Sequence, residues 1–124
     1  MEKLHVLVCV TGQKTCERLI VEGDRQAREL DATLSVVHVA RPGADFLGNP
    51  VEGEALEYLF QISAAHGADM TVIRNEDVVG TLVAQAKKMD ANMLVLGVPG
   101  RGDWDITREL KQRLPSVELH VVYT

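Results

Sequence analysis

Short apolar runs alternate along the chain with segments whose apolar residues recur every three or four positions, the pattern of strands joined by crossover helices. The first run, Leu4-His5-Val6-Leu7-Val8-Cys9-Val10, is β-branched and nearly continuous in apolar character, as a central parallel strand covered on both faces requires. From Cys16 to Leu30, the residues Leu19, Ile20, Ala27 and Leu30 fall at helical spacing. Glu17, Arg18, Glu22, Arg25 and Arg28 mostly turn outward, so this segment predicts the first helix. Leu34 to Ala40 is the second strand. The stretch Arg41 to Pro50, with its glycines and prolines, is expected to lack regular structure and forms the longest loop.

A second helix is predicted from about Glu52 to His66, closed by Gly67, which takes a left-handed cap at low steric cost. Met70 to Arg74 follows as the third strand. Asn75 suits the cap of a third helix over roughly 76–89, with Glu76 and Asp77 in its first turn and Lys87 and Lys88 in its last, as the helix dipole favours. Asn92 to Leu96 is the fourth strand, and Gly97 to Trp104 a loop with three glycines. A short helix from about Asp105 to Leu114 stops at Pro115, and Val117 to Tyr123 alternates as a fifth strand.

Right-handed crossovers turn this βαβαβαβαβ order into an α/β fold: a three-layer, doubly wound parallel sheet of five strands in the order 3-2-1-4-5. Its switch point lies between the first and fourth strands, so the loops Thr11 to Thr15 and Gly97 to Asp103 are expected to face each other across a crevice. Gly100 and Gly102 admit close backbone approach, Arg101 supplies charge, and a helix start follows, a combination suited to phosphate. Lys14-Thr15 does not complete a P-loop, because Gln13 and Val8 stand where that motif needs glycine.

With 124 residues, 46% of them hydrophobic and 25% charged, the chain is expected to form one domain over residues 1–124. Its net charge of −5 has the wrong sign for a general nucleic-acid binder. No apolar run reaches membrane-spanning length and the N-terminus lacks a signal-peptide pattern, so the expected compartment is the cytosol, with no membrane contact by this chain. Cys9 and Cys16 match neither redox nor zinc spacings and are expected as reduced thiols, although Cys16 lies where a helix dipole can favour the thiolate. His5, His38, His66 and His120 show no metal-pair spacing. No serine, cysteine or carboxylate has an evident activating partner, so neither a metal nor a catalytic site is assigned. Phe46 and Trp104 each suit either a pocket wall or a cover for the edge of the core.

The strand Leu4 to Val10 running into a Gly-containing loop, Leu34-Ser35-Val36-Val37-His38-Val39, and Met93-Leu94-Val95-Leu96-Gly97 before a Gly-rich loop together resemble a universal stress protein domain. Leu96 to Trp104, Arg113-Leu114, Val117 to Val122 and Glu17-Arg18-Leu19-Ile20 are similar to the branch of that family found in Kdp-type potassium-sensing histidine kinases. The resemblance implies an adenine nucleotide, ATP among the candidates, held by the first loop (Thr11, Gly12), by backbone at Val39, and by Gly97, Gly100, Arg101 and Gly102. ATP-binding members carry an acidic residue in the first loop and a Gly-x2-Gly-x9-Gly-[Ser/Thr] motif. Here Thr11 replaces the acid, Gly97 and Gly100 match the first half of the motif, and Leu110-Lys111 replace its end. Members that bind cyclic di-adenylate use serines after the first strand and an aromatic in the second, and both are absent here.

The function expected from the resemblance is a non-catalytic, nucleotide-responsive sensor module with weakened adenine-nucleotide binding. The alternative is a ligand-free dimerisation or docking domain of a two-component signalling protein. In either case the fifth strand, an expected sheet edge with Val117, Leu119, Val121 and Tyr123 on one face, is the expected homodimer contact.

Overall fold

The computed structural model describes residues 3–98 and 106–123. Its five strands are β1 (His5–Val10), β2 (Thr33–Ala40), β3 (Asp69–Arg74), β4 (Met93–Val98) and β5 (Glu118–Tyr123). All pair in parallel in the order β3-β2-β1-β4-β5, as the pattern predicted. The helices are α1 (Gln13–Leu30), α2 (Glu52–Ala65), α3 (Val78–Lys88) and α4 (Ile106–Arg113).

Alternation along the strands divides the core in two. Val6, Val8, Val10 and Val36 face α1 and α2, where Leu19, Ile20 and Leu59 meet them. Leu7, Cys9, Val37 and Leu94 face α3 and α4, where Leu82, Val83 and Leu110 close the second layer. Most of these side chains are fully buried, and each contributes about 1.5–3 kcal/mol relative to exposure. Burial on both faces explains why β1 reads as a continuous apolar run.

Several boundaries differ from the sequence expectation. Helix α1 begins at Gln13 rather than Cys16, because backbone hydrogen bonding starts as soon as β1 ends, whereas the apolar period starts one turn later. The cap of α3 is Asp77, whose carboxylate accepts the Gly80 N–H at 2.8 Å. Asn75 instead braces the turn before it by accepting the Asp77 N–H, so Glu76 and Asp77 precede the helix. Strand β4 extends through Gly97 and Val98, because pairing with Val122 and Tyr123 of β5 continues past the apolar run. Helix α2 ends as predicted: Gly67 has φ +68°, with Gly67 N–H bonded to the Ala64 carbonyl and Ala68 N–H to that of Ser63.

The loop after β2 is more ordered than its composition suggests. Phe46–Gly48 form a 3-10 turn in which Leu47, a non-glycine residue, sits at φ 56° and ψ 18°. That conformation costs about 1–3 kcal/mol and persists only where surrounding contacts impose it. Phe46 and Leu47 are both buried, which supplies part of the compensation.

Candidate functional site

The carboxyl ends of the strands set the site. Val10 pairs with His38, and Cys9 with Leu96, so continuing the same registers places Thr11 level with Val39, and Val10 level with Gly97. The sheet therefore brings Thr11, Gly12, Val39 and Gly97 to one end. Thr11 is exposed, while Gly12 and Gly97 are half-buried. Val39 is 9% exposed and packs into the α3–α4 core, so its backbone is better placed than its side chain to meet a ligand. Gly100, Arg101, Gly102 and Trp104 lie outside the described residues, as does the rest of the expected second loop after Val98.

Helix α1 starts at this end of the sheet, and its own first turn does little to neutralise its dipole. Gly12 is the N-cap and has no side chain to bond the first amides, and the first turn carries Lys14 but no acidic residue. The amides and Lys14 together give local positive potential to a chain of net charge −5. A Cβ built on Gly12 would meet nothing within 4 Å.

Opposite the start of α1 stands the turn after β2, in which the sequence pattern singles out only Phe46. Asn49 Nδ2 donates to Gln13 Oε1 at 3.1 Å, and between Gly12–Thr15 and Leu47–Pro50 lies an open depression of about 410 Å³. The turn is fastened from beneath by His38. The ring Nδ1 lies 2.9 Å from the Val10 carbonyl oxygen, and the Leu47 N–H donates to Nε2 at 3.0 Å. A carbonyl only accepts and an amide N–H only donates, so the ring is neutral with its proton on Nδ1. Burial holds its pKa below the ordinary 6.5; the Val10 carbonyl works against that shift and the Arg74 charge reinforces it.

Phe46 lies between His38 and Arg74. It meets the His38 ring edge-on at 5.9 Å between centroids, and the Arg74 guanidinium stands 4.0 Å from its own ring centre. Arg74 also donates to the Ala44 carbonyl at 2.8 Å and to Glu52 at 2.9 Å, tying the end of β3 to the loop and to α2. Of the two roles open to Phe46, the structure selects the buried cover.

The remaining candidates resolve differently. Cys16 occupies the fourth position of α1, but burial, with a smaller contribution from Glu17, pushes its thiol up to about 11. Burial pushes Cys9 to about 12, so the expected influence of the dipole on Cys16 is overcome by desolvation. Both cysteines are free. Among the described residues, no group of three or more His, Cys, Asp or Glu side chains gathers as a metal set, and no helix is long and apolar enough to cross a membrane. On β5, Leu119 and Val121 turn inward against the α3–α4 core and Val117 precedes the strand, whereas Tyr123 is 68% exposed.

Residues 4–122 match the sequence model of the Universal stress protein family. Sensor protein KdpD of Mycobacterium tuberculosis (strain CDC 1551 / Oshkosh) is 34% identical over 124 residues, covering 95% of this chain and 14% of that protein. Putative sensor protein KdpD of Synechocystis sp. is 27% identical, covering 95% of this chain and 33% of the other. The chain thus spans only a minor part of the length of these relatives. A universal stress protein crystallised in complex with cAMP shares the fold at TM-score 0.73 and 18% identity, over 100% of this chain and 99% of that one. The universal stress protein from Archaeoglobus fulgidus in complex with dAMP does so at TM-score 0.67 and 19% identity, over 98% of each chain.

Proposed function

The chain belongs to the universal stress protein family, and we propose that it serves there as a nucleotide-responsive regulatory module. In this reading an adenine nucleotide rests at the carboxyl end of the sheet, contacting Thr11, Gly12, the Val39 backbone and Gly97, with Gly100, Arg101 and Gly102 toward its phosphates. The ligand undergoes no bond change and shifts a conformational or partner equilibrium through its unequal affinity for two states. The observation that carries this reading is the start of α1, where Gly12 and Lys14 leave positive potential and the helix's own first turn holds no acidic residue. The cAMP and dAMP complexes of proteins sharing the fold support the choice of an adenine ligand. Similarity to KdpD sensor proteins supports a place in the cytoplasmic part of a sensor kinase.

Thr11 and Leu110-Lys111, which stand where ATP-binding relatives carry an acid and a Gly-[Ser/Thr] pair, favour weak binding. Calorimetric titration with ATP, AMP and cyclic dinucleotides provides the test. Saturable binding to the wild type, weakened about tenfold or more by Gly12→Val, is the expected result, since the added side chain enters open space rather than the core. No heat with any of these nucleotides overturns the reading. The second reading, a ligand-free docking or dimerisation domain, rests on the open edge of β5.

A further inference from the structure

His38 has a more specific place in this arrangement than filling the end of the core. Its two ring nitrogens join three separate parts of the chain: β2, which carries it, the last residue of β1, and Leu47 of the turn. Leu47 is held in a left-handed conformation that a leucine does not adopt unaided, and its amide is the group His38 captures. Two residues further on, Asn49 accepts the Val51 N–H at 2.9 Å and donates to Gln13. A chain of directional contacts therefore runs from the Val10 carbonyl through the imidazole and the turn to the first residue of α1, forming one wall of the depression beside Gly12.

We propose that His38 is a positioning residue for the candidate ligand site, locking the Phe46–Gly48 turn to β1 and, through Asn49, fixing the rim formed with Gln13. The ligand half of this statement rests on the nucleotide-binding reading above; the clasp itself does not. Arg74 lies over the Phe46 ring of the same turn and bonds the Ala44 carbonyl before it, and among the described residues His38 is the side chain seen to bond the Leu47 amide.

Amide substitutions separate the two functions of the ring. In His38→Gln the side-chain oxygen takes the place of Nε2 and accepts the Leu47 N–H. In His38→Asn the amide NH₂ takes the place of Nδ1 and keeps only the Val10 contact. His38→Phe keeps the ring volume and loses both. Hydrogen exchange followed by NMR should show Leu47 protection falling about tenfold or more in the Asn and Phe variants and staying within about threefold of wild type in Gln, with the Val8 amide as the control for the fold. AMP affinity should follow the same order, weakening about three- to tenfold in Asn and Phe and little in Gln.

Equal Leu47 protection in all four proteins overturns the clasp, and so does a Gln variant as unprotected as Phe. A released turn with unchanged AMP affinity overturns the positioning role. Failure of the wild type to bind AMP overturns the proposed function and the ligand half together, while the exchange data still decide the clasp.

Discussion

At the scale of single residues, His38 shows how burial converts an ordinary side chain into a conditional one. The folded protein holds it neutral, whereas in the unfolded chain it titrates near 6.5. As pH falls, the unfolded state takes up the proton first, so the stabilisation present above 6.5 is lost progressively toward the lower folded pKa. Urea unfolding from about pH 8 to about pH 5 should therefore show stability declining on the acid side, by at most about 1.4 kcal/mol per pH unit from this group. The decline should be shallower in His38→Gln, and parallel profiles would remove His38 as its source. The sequence identified His38 only as a strand histidine, because its partners lie 28 and 9 residues away. The αL conformation of Leu47 was equally hidden, since nothing in a leucine announces it. Thr11, Gly12 and Gly97 were legible as candidates because the strand ends beside the switch point of a parallel sheet follow from periodicity, whereas Val39 was legible only through the family resemblance.

At the scale of elements, the helices were legible by their apolar period and less so by their ends. Gly67 marked the end of α2, but the left-handed residues at the ends of α1 and α3 are Asp31 and Asp90. Aspartate tolerates this conformation without signalling it as glycine does. Helix α1 also has a constraint that its periodicity does not display. Gly23 lies buried against β1, and a Cβ there would overlap Val8 Cγ2 deep in the core. Alanine improves intrinsic helix propensity by about 1 kcal/mol over glycine, but here the overlap forces the helix or the strand to move. Gly23→Ala should lower stability by about 1–3 kcal/mol in denaturant unfolding, and a stabilised variant would show that α1 is free to shift. The same helix is joined to the end of α2 by Asp24, which accepts from His66 at 2.7 Å and from Arg28 at 3.1 Å.

At the scale of the molecule, the strand order followed from the sequence because crossover handedness leaves few alternatives once five strands are placed. What the sequence left open was how β5 uses its side chains. Leu119 and Val121 already serve the molecule's own core, so a charge at Val121 would test folding and association at once. Tyr123 is exposed and offers a cleaner test of the proposed homodimer through this edge. Tyr123→Lys should shift a sedimenting dimer to monomer with little change in thermal stability, because an edge lysine disfavours strand addition. A dimer insensitive to that change would place the contact elsewhere.

The central position of β1, between β2 and β4, also bears on how the chain leaves the ribosome. Once β3 has been synthesised, β1 can pair with β2 on one side, while its other side waits for Met93–Val98. A nascent chain at that stage carries an unpaired apolar strand that the finished protein conceals, and the period during which a chaperone is of use lasts until β4 emerges.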